Sequence, residues 1–189
     1  MARLLVFNSI TTDGYFTGEK GDMSWAHEGG DDPEWQEFVA GNASGGGGRL
    51  LFGRITYQMM ESFWPTPTAR EAMPEVAEGM NSMPKVVFSR TLDHVTWRNT
   101  RLVKSDPVAE VRRMKADGGG DMVVLGSGTI VALLTQAGLV DDYQMVVCPV
   151  VLGKGRTMFD GVKGPRALAL KATRPFRNGK VVLTYERKG

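Results

Sequence analysis

The sequence predicts an α/β fold in which a mostly parallel central sheet carries helices on both faces and ends in an antiparallel addition of C-terminal strands. Two observations lead to this prediction. Up to about residue 138, short apolar stretches typical of strands alternate with helical stretches. After residue 141, strand-like stretches follow one another with turn signals between them. The first pattern is typical of parallel strands joined by crossover helices, and the second of antiparallel strands joined by turns.

The first elements are a strand, a loop and a helix. Residues 3–10, which contain the apolar run 4–7, predict the opening strand, and the following stretch predicts a loop as far as Trp25. A helix begins at Asp32 and Pro33, because an aspartate N-cap followed by proline is a helix-start signal. The glycine-rich stretch 44–48 is similar to a linker, but only 43 residues precede it, too few for an independent core. We therefore interpret it as a connection between the helix and the next strand.

The following elements alternate in the same way. Strands are predicted at 49–52, 85–88, 100–104 and 121–125, and helices at 54–63, 75–83, 107–116 and 128–136. Pro65, Pro67 and Pro74 break the stretch that precedes the helix at 75–83. Three more strands, at 143–151, 167–173 and 180–186, form the predicted C-terminal addition.

Length and composition exclude several classes of protein. A chain of 189 residues fits one domain, and we expect a single domain over 1–189. The lone cysteine, Cys148, excludes an internal disulfide and is expected to be a packing residue. His27 and His94 lie far apart and exclude a zinc finger or an HExxH site, so we predict no metal. Apolar runs are too short for a signal peptide or a membrane span, and we expect a cytoplasmic protein without a membrane partner.

Basic residues are concentrated at the C-terminal end. Residues 153–189 contain ten lysines or arginines and two acids, whereas the whole chain has a net charge of +2. Such a segment favours either nucleic-acid binding or a solvated strand face. We prefer the second interpretation, because the charges alternate with apolar residues and no known nucleic-acid-binding signature is present. The sequence therefore predicts no nucleic-acid partner.

Three predicted strand-to-helix turns carry residues that favour a phosphate, and ligands of open α/β sheets bind at the carboxyl ends of the strands. In the first turn the strand stops at Gly53, and Arg54 and Thr56 open a helix. Free N–H groups at a helix N-terminus attract an anion, and an arginine adds a counter-charge. Taken alone, this turn is also explained by a tight bend at Gly53 and a solvated Arg54.

The second turn carries Ser89 and Arg90, which suit a phosphate monoester but are also common at strand ends. The third turn has paired glycines, Gly126 and Gly128, that let the backbone approach a pyrophosphate before a helix. It departs from the Rossmann fingerprint, and a plain turn explains it as well as binding does. Together, the three turns predict a dinucleotide site, because a doubly wound sheet can line them along one edge.

The ordered set of motifs covers nearly the whole chain. It comprises the opening strand, Asp13-Gly14, Ser24-Trp25, Gly53-Arg54-x-Thr56, Ser89-Arg90, Gly126-Ser127-Gly128-Thr129 and the segment 149–153. This order resembles the dihydrofolate reductase superfamily, and more narrowly the family that shares the reductase domain of the bifunctional riboflavin-biosynthesis deaminase–reductase. The resemblance implies a dihydrofolate reductase-like three-layer fold and an NADPH-dependent reductase of a small heterocyclic substrate. The activity would be similar to that of 5-amino-6-(5-phosphoribosylamino)uracil reductase or dihydrofolate reductase.

The resemblance also implies roles for individual residues. The first turn would hold cofactor phosphates, the second the 2′-phosphate and the third the pyrophosphate, while the first loop would lie near the nicotinamide. The cofactor-binding residues implied in this way are Ile10, Asp13, Gly14, Gly53, Arg54, Thr56, Ser89, Arg90, Gly126, Ser127, Gly128, Thr129 and Ile130. The implied substrate-binding residues are Trp25 and Asp31.

The chain departs from both kinds of relative at the substrate side. Asp31 matches the pteridine-binding carboxylate of folate-reducing members only approximately, and Tyr15 follows Asp13-Gly14 where riboflavin enzymes carry arginine. Leu125 stands where those enzymes place a substrate-binding glutamate. These departures motivate an alternative, a non-catalytic protein that binds NADPH or another nucleotide. Trp25 is equally interpreted as a core residue, and no residue is identified as the proton donor.

A small-molecule substrate is the expected partner. A homodimer through the C-terminal strands is a further hypothesis that the sequence does not establish.

Overall fold

The computed structural model describes residues 1–44 and 48–188, and the predicted glycine-rich connection falls mainly on residues outside this part of the chain. The described residues form one eight-stranded sheet with the order β4-β3-β2-β5-β1-β6-β8-β7. Its strands are β1 (Leu4–Thr11), β2 (Arg49–Gly53), β3 (Lys85–Phe88), β4 (Thr100–Val103), β5 (Met122–Leu125), β6 (Asp142–Cys148), β7 (Leu168–Pro175) and β8 (Val181–Arg187).

The strands from β4 to β6 in this order are all parallel to their neighbours. Strand β8 is antiparallel to β6, and β7 is antiparallel to β8. The predicted parallel sheet with an antiparallel C-terminal addition is therefore confirmed.

Helices cover both faces of the sheet, which confirms the three-layer prediction. They are α1 (Pro33–Ser44), α2 (Arg54–Phe63), α3 (Pro67–Ala72), α4 (Pro74–Ser82), α5 (Pro107–Ala116) and α6 (Gly128–Gln136), with a short 3₁₀ helix at Ser24–His27. Neighbouring residues of a strand point to opposite faces. Accordingly, Leu51 of β2 packs with residues of α5 and α6, whereas Leu50 and Phe52 pack with residues of α2, α3 and α4.

A third cluster of buried side chains lies between the antiparallel end of the sheet and α1. It contains Val146 and Cys148 of β6 and Val182 of β8, with Trp25 and Phe176. Burial raises the pKa of the Cys148 thiol, as expected for the predicted packing residue.

The structure differs from the sequence prediction in the proline-rich segment. Pro67 does not prevent helix formation but is the first residue of α3. The Thr66 side chain caps this helix by accepting a hydrogen bond from Ala69 N–H at 3.2 Å. Pro74 is likewise the first residue of α4, which begins without a side-chain cap. Proline is tolerated in the first turn of a helix because the N–H that it lacks has no partner there.

Smaller differences occur at the first loop and at the last strands. The 3₁₀ helix lies within and just beyond the predicted loop, where Asp22 accepts the N–H of Ser24 at 3.2 Å. Strand β6 ends at Cys148 rather than Val151, because Pro149 follows and the chain turns back there. No helix in the described part of the chain is long and apolar enough to cross a membrane.

Candidate functional site

The predicted turns lie on neighbouring strands, along the edge of the sheet that is formed by the carboxyl ends of the parallel strands. The strand order brings together Ser89 after β3, Gly53 at the end of β2, Gly126 after β5 and Thr11 at the end of β1. Neighbouring strands are about 4.8 Å apart, so these four strand ends span about 14 Å. This edge is where an open α/β sheet binds its ligands.

Hydrogen bonds connect the first and third turns directly. Gly53 N–H donates to Ser127 Oγ at 2.7 Å, and Ser127 N–H donates to Thr56 Oγ1 at 2.9 Å. Thr56 is buried, so its hydroxyl lies inside the contact between the two turns. The first residues of α2 and α6 are thereby held next to each other.

Gly126 allows the two turns to come this close. Its φ is +60°, a left-handed conformation that favours glycine, and Ser127 follows at φ 58°. A Cβ atom at Gly126 would lie 2.7 Å from Cγ2 of Thr56. The close contact therefore requires glycine at this position, and the backbone conformation favours it.

Asn8 is a residue of this site that the sequence analysis missed. It lies within β1 and is 4% exposed, and its Oδ1 accepts the N–H of Gly126 at 2.6 Å. Its Nδ2 donates to the carbonyl of Gly126 at 3.3 Å. The side chain thus holds Gly126 from the β1 side. The signal in the sequence is an amide directly after the apolar run at the start of β1.

Positive charge is concentrated at this edge of the sheet. Both α2 and α6 begin there, and the N–H groups of Gly128 and Thr129 have no acceptor among the described residues. Helix N-termini carry partial positive charge. The exposed Arg54 donates to Gln58 at 3.2 Å and adds a full positive charge beside them.

The second turn is built by Ser89. Its Oγ accepts the N–H groups of Thr91 at 3.2 Å and Leu92 at 3.0 Å. Arg90 projects beyond this turn as an exposed side chain. Ser89 therefore shapes the turn, and Arg90 supplies its charge.

Asp13 connects the first loop to the segment after β6. Thr11 Oγ1 donates to Asp13 at 2.6 Å, and the N–H of Gly153 donates to it at 2.8 Å. The Thr11 hydrogen bond, with further bonds from Gly153 and Leu152, holds the pKa of the Asp13 carboxyl below its usual range. The contacts show Asp13 as a residue that orders the loop next to half-buried Ile10 and exposed Gly14.

The substrate-side residues lie in different environments. Trp25, in the 3₁₀ helix, is 6% exposed and packs with Cys148 and Phe176. Asp31 is exposed, and no hydrogen bond or ion pair joins it to another described residue. Asp32 caps α1 instead, accepting the N–H of Glu34 at 3.0 Å. The assignment of Trp25 and Asp31 to substrate binding stays a prediction.

An aromatic cluster, Phe7, Trp35, Phe38 and Phe176, lies beside Trp25 between β1 and α1. The ring centroids of Trp35 and Phe176 are 5.1 Å apart, and those of Phe38 and Phe176 are 5.3 Å apart. Phe7, on β1, lies 6.4 Å from Phe38. These side chains form an apolar cluster of flat rings on the α1 side of β1. Among the described residues, no group of three histidine, cysteine or acidic side chains is arranged to hold a metal ion.

Comparisons with known proteins agree with this architecture. The chain is 26% identical over 189 residues to the uncharacterized protein YyaP of Bacillus subtilis, covering 99% of this chain and 96% of that protein. A structure from Shewanella sp. PV-4, assigned to riboflavin biosynthesis, matches with a TM-score of 0.74 and 22% identity, covering 100% of both chains. Dihydrofolate reductase from Enterococcus faecalis matches with a TM-score of 0.68 and 18% identity, covering 99% of this chain and 97% of that one.

These structural matches show a dihydrofolate reductase-like fold. The family model described as the RibD C-terminal domain matches residues 2–182. The chain therefore belongs to the RibD C-terminal domain family.

Proposed function

We propose that the chain is an NADPH-dependent reductase of a small planar heterocycle. The observation that carries this proposal is the pair of hydrogen bonds that joins Gly53, Thr56 and Ser127. These bonds bring two helix N-termini to one edge of the sheet, where a pyrophosphate would meet free N–H groups from both sides.

The residues of the edge fit a phosphate-rich dinucleotide. Gly126 to Ile130 would hold the pyrophosphate, with Arg54 and Thr56 beside it. Arg90, about two strand spacings from the β5 turn, is proposed to bind the 2′-phosphate. Bound NADPH would supply a hydride. The family supports this choice, and the dihydrofolate reductase to which the fold is similar was solved with NADP(H).

The chain itself would orient the two reactants and exclude water from them. Ile10 and the loop held by Asp13 lie at the end of β1, where they would pack against one reactant. The aromatic cluster lies on the α1 side of the same strand and would stack against a flat ring. Apolar walls of this kind exclude water and favour a planar substrate.

A turnover experiment tests the proposal. The full chain is first titrated with NADPH by following nicotinamide fluorescence, and it is then mixed with NADPH and a panel of pterins, aminopyrimidines and flavins. We expect saturable NADPH binding and loss of absorbance with at least one compound. Failure to bind NADPH would overturn the proposal.

A second function, non-catalytic binding of NADPH or another nucleotide, is favoured by one observation. Leu125, where the resemblance places a substrate-binding glutamate, is partly buried and packs against an apolar cluster. The same panel separates the two functions. Saturable NADPH binding without turnover of any compound would favour the non-catalytic protein.

A further inference from the structure

A buried lysine lies at the same edge of the sheet as the candidate site. Lys180 comes directly before β8, one residue beyond the pair formed by Val147 and Val181. This position places it next to Cys148, whose partner in β1 is Thr11. Only 2% of Lys180 is exposed. It therefore lies two strands from the end of β1, on the side opposite the phosphate-binding turns.

The ammonium group of Lys180 has fewer partners than its burial requires. Nζ donates to the carbonyl of Ala26 at 2.8 Å and lies 4.6 Å from the centroid of the Trp35 ring. No carboxylate of the described residues lies within ion-pair distance of it. By contrast, buried Lys115 pairs with Asp141. Burial lowers the pKa of Lys180 below its ordinary value.

Trp25, in the adjoining 3₁₀ helix, carries a donor that has no partner at all among the described residues. Its indole Nε1 is buried without a hydrogen-bond partner, and it is the one buried side-chain nitrogen or oxygen in the described part of the chain with this property. Trp25 is the chain neighbour of Ala26, the residue that accepts from Lys180. It also packs with Cys148, beside which Lys180 lies. Native proteins leave few buried donors unpaired, and each one requires an explanation.

We propose that Lys180 and Trp25 bind an oxygen acceptor of the substrate, a carbonyl or anionic oxygen on a planar heterocycle. This inference rests on the proposed function, since it takes this edge of the sheet as the place where the substrate lies. Lys180 supplies positive charge, which favours an anionic or polarised oxygen. The aromatic cluster that contains Trp35 supplies flat walls for the ring. The alternative is a purely structural role, in which Lys180 only holds the 3₁₀ helix against β8.

Barbiturate and pyrimidine are suitable probes, because they share a six-membered ring with two nitrogens, and only barbiturate carries exocyclic oxygens and a negative charge at neutral pH. Each is titrated into the full chain, with and without NADPH, by following tryptophan fluorescence. We expect barbiturate to bind about tenfold more tightly than pyrimidine, the ratio that one charge-assisted hydrogen bond provides. Lys180→Met and Trp25→Phe, which keep the bulk and lose the donors, should each remove that difference.

Lys171→Met is the matched control, because Lys171 is exposed on β7 and binds Asp142 at 3.1 Å. It should leave barbiturate affinity unchanged. An indole N–H spectrum of the ¹⁵N-labelled protein provides a readout without any substitution, and the Trp25 signal should move downfield when barbiturate binds. A purely structural role of Lys180 would leave both the barbiturate preference and this signal unmoved.

The outcomes separate this inference from the proposed function. If NADPH binds and barbiturate shows no preference over pyrimidine, the acceptor site is wrong and the proposed function stands. Barbiturate binding that survives Lys180→Met also overturns the acceptor site. If barbiturate binds as expected and NADPH does not bind, the proposed function is wrong and the acceptor site stands. Circular dichroism checks that each variant folds. If Lys180→Met does not fold, the barbiturate affinity of Trp25→Phe and the indole signal of the native chain decide whether the acceptor site exists.

Discussion

Gly53 and Ser127 join the two helix starts of the candidate site through one hydrogen bond, in which Gly53 N–H donates to Ser127 Oγ over 2.7 Å. The residues are 74 positions apart in the chain, and Gly53 ends β2 while Ser127 follows β5, its neighbour in the sheet. Thr56 accepts the return bond from Ser127 N–H at 2.9 Å. The local geometry of the proposed phosphate site therefore depends on a contact between two separate turns.

We expect Ser127→Ala to weaken both the fold and the binding of NADPH. The substitution removes the acceptor of Gly53 N–H, and an unpaired donor costs about 1–3 kcal/mol when it is buried. Because Gly53 is only half-buried, a loss of about 1 kcal/mol in the free energy of unfolding is expected. The NADPH dissociation constant should rise about tenfold as the two turns separate. Urea denaturation and fluorescence titration measure the two effects.

Ser62→Ala provides the control for this prediction. Ser62 lies in the last turn of α2, is exposed, and donates to the carbonyl of Met59 at 2.8 Å. Its replacement should change the free energy of unfolding by less than about 0.5 kcal/mol and leave NADPH binding unchanged. Equal effects of Ser62→Ala and Ser127→Ala on NADPH binding would contradict a special role of the Ser127 contact.

Asn8→Ala should separate cofactor affinity from general stability. The substitution removes both hydrogen bonds to Gly126, so the backbone of the β5 turn loses its support from β1. We expect the NADPH dissociation constant to rise about tenfold or more, together with a loss of about 2 kcal/mol in stability from the unpaired groups. Fluorescence titration and urea denaturation give the two values.

The matched control is Asn81→Ala, which removes an equally buried asparagine away from the site. Asn81 is 3% exposed, donates to the carbonyls of Trp64 and Ala77, and accepts from the indole of Trp97 at 2.7 Å. Its loss should reduce stability at least as much as Asn8→Ala without changing NADPH affinity in the folded protein. If the two variants lose NADPH affinity in parallel, Asn8 acts only through stability.

Much of the fold could be predicted because its signals are local. Apolar strands, proline and aspartate at helix starts, and glycine at turns each act over a few residues. Asn8 could not be identified, since its partner Gly126 is 118 positions away and the sequence does not show which turn lies beside β1. Lys180 was interpreted as one charge of a solvated strand face. The other basic residues of this segment are indeed exposed, but Lys180 is buried. Pro67 was ambiguous because proline both breaks helices and begins them.

Arg90→Ala tests the assignment of the 2′-phosphate. NADPH and NADH differ only by that phosphate, so the loss of an arginine that binds it should weaken NADPH about tenfold or more and spare NADH. Both dissociation constants are measured by nicotinamide fluorescence. Arg70→Ala, an exposed arginine on α3, is the control and should alter neither. Equal losses for the two cofactors in Arg90→Ala would mean that Arg90 does not contact the 2′-phosphate.

Lys85 gives the fold a pH dependence that can be measured without any ligand. It is 1% exposed, donates to the carbonyl of Met83 at 2.6 Å and lies 4.5 Å from the centroid of the Trp97 ring. Burial, with a smaller repulsion from Arg98, lowers the pKa of Lys85 to about 8. Below pH 8 the amine is protonated in the folded and the unfolded chain alike, so the cost of burying the charge is present in full.

Between about pH 8 and the ordinary lysine pKa of about 10.4, the folded chain has released this proton and the unfolded chain retains it. The unfolded state then binds more protons, so the free energy of unfolding increases as the pH rises. Lys85 is expected to contribute at most about 1.4 kcal/mol per pH unit to the increase in the free energy of unfolding. Urea denaturation from pH 7 to pH 10.5 measures it, and the difference between the native chain and Lys85→Met isolates the contribution of Lys85. Lys104→Met, at an exposed position, should retain the native slope. A native slope in Lys85→Met would mean that Lys85 titrates alike in the folded and unfolded states, in conflict with its burial.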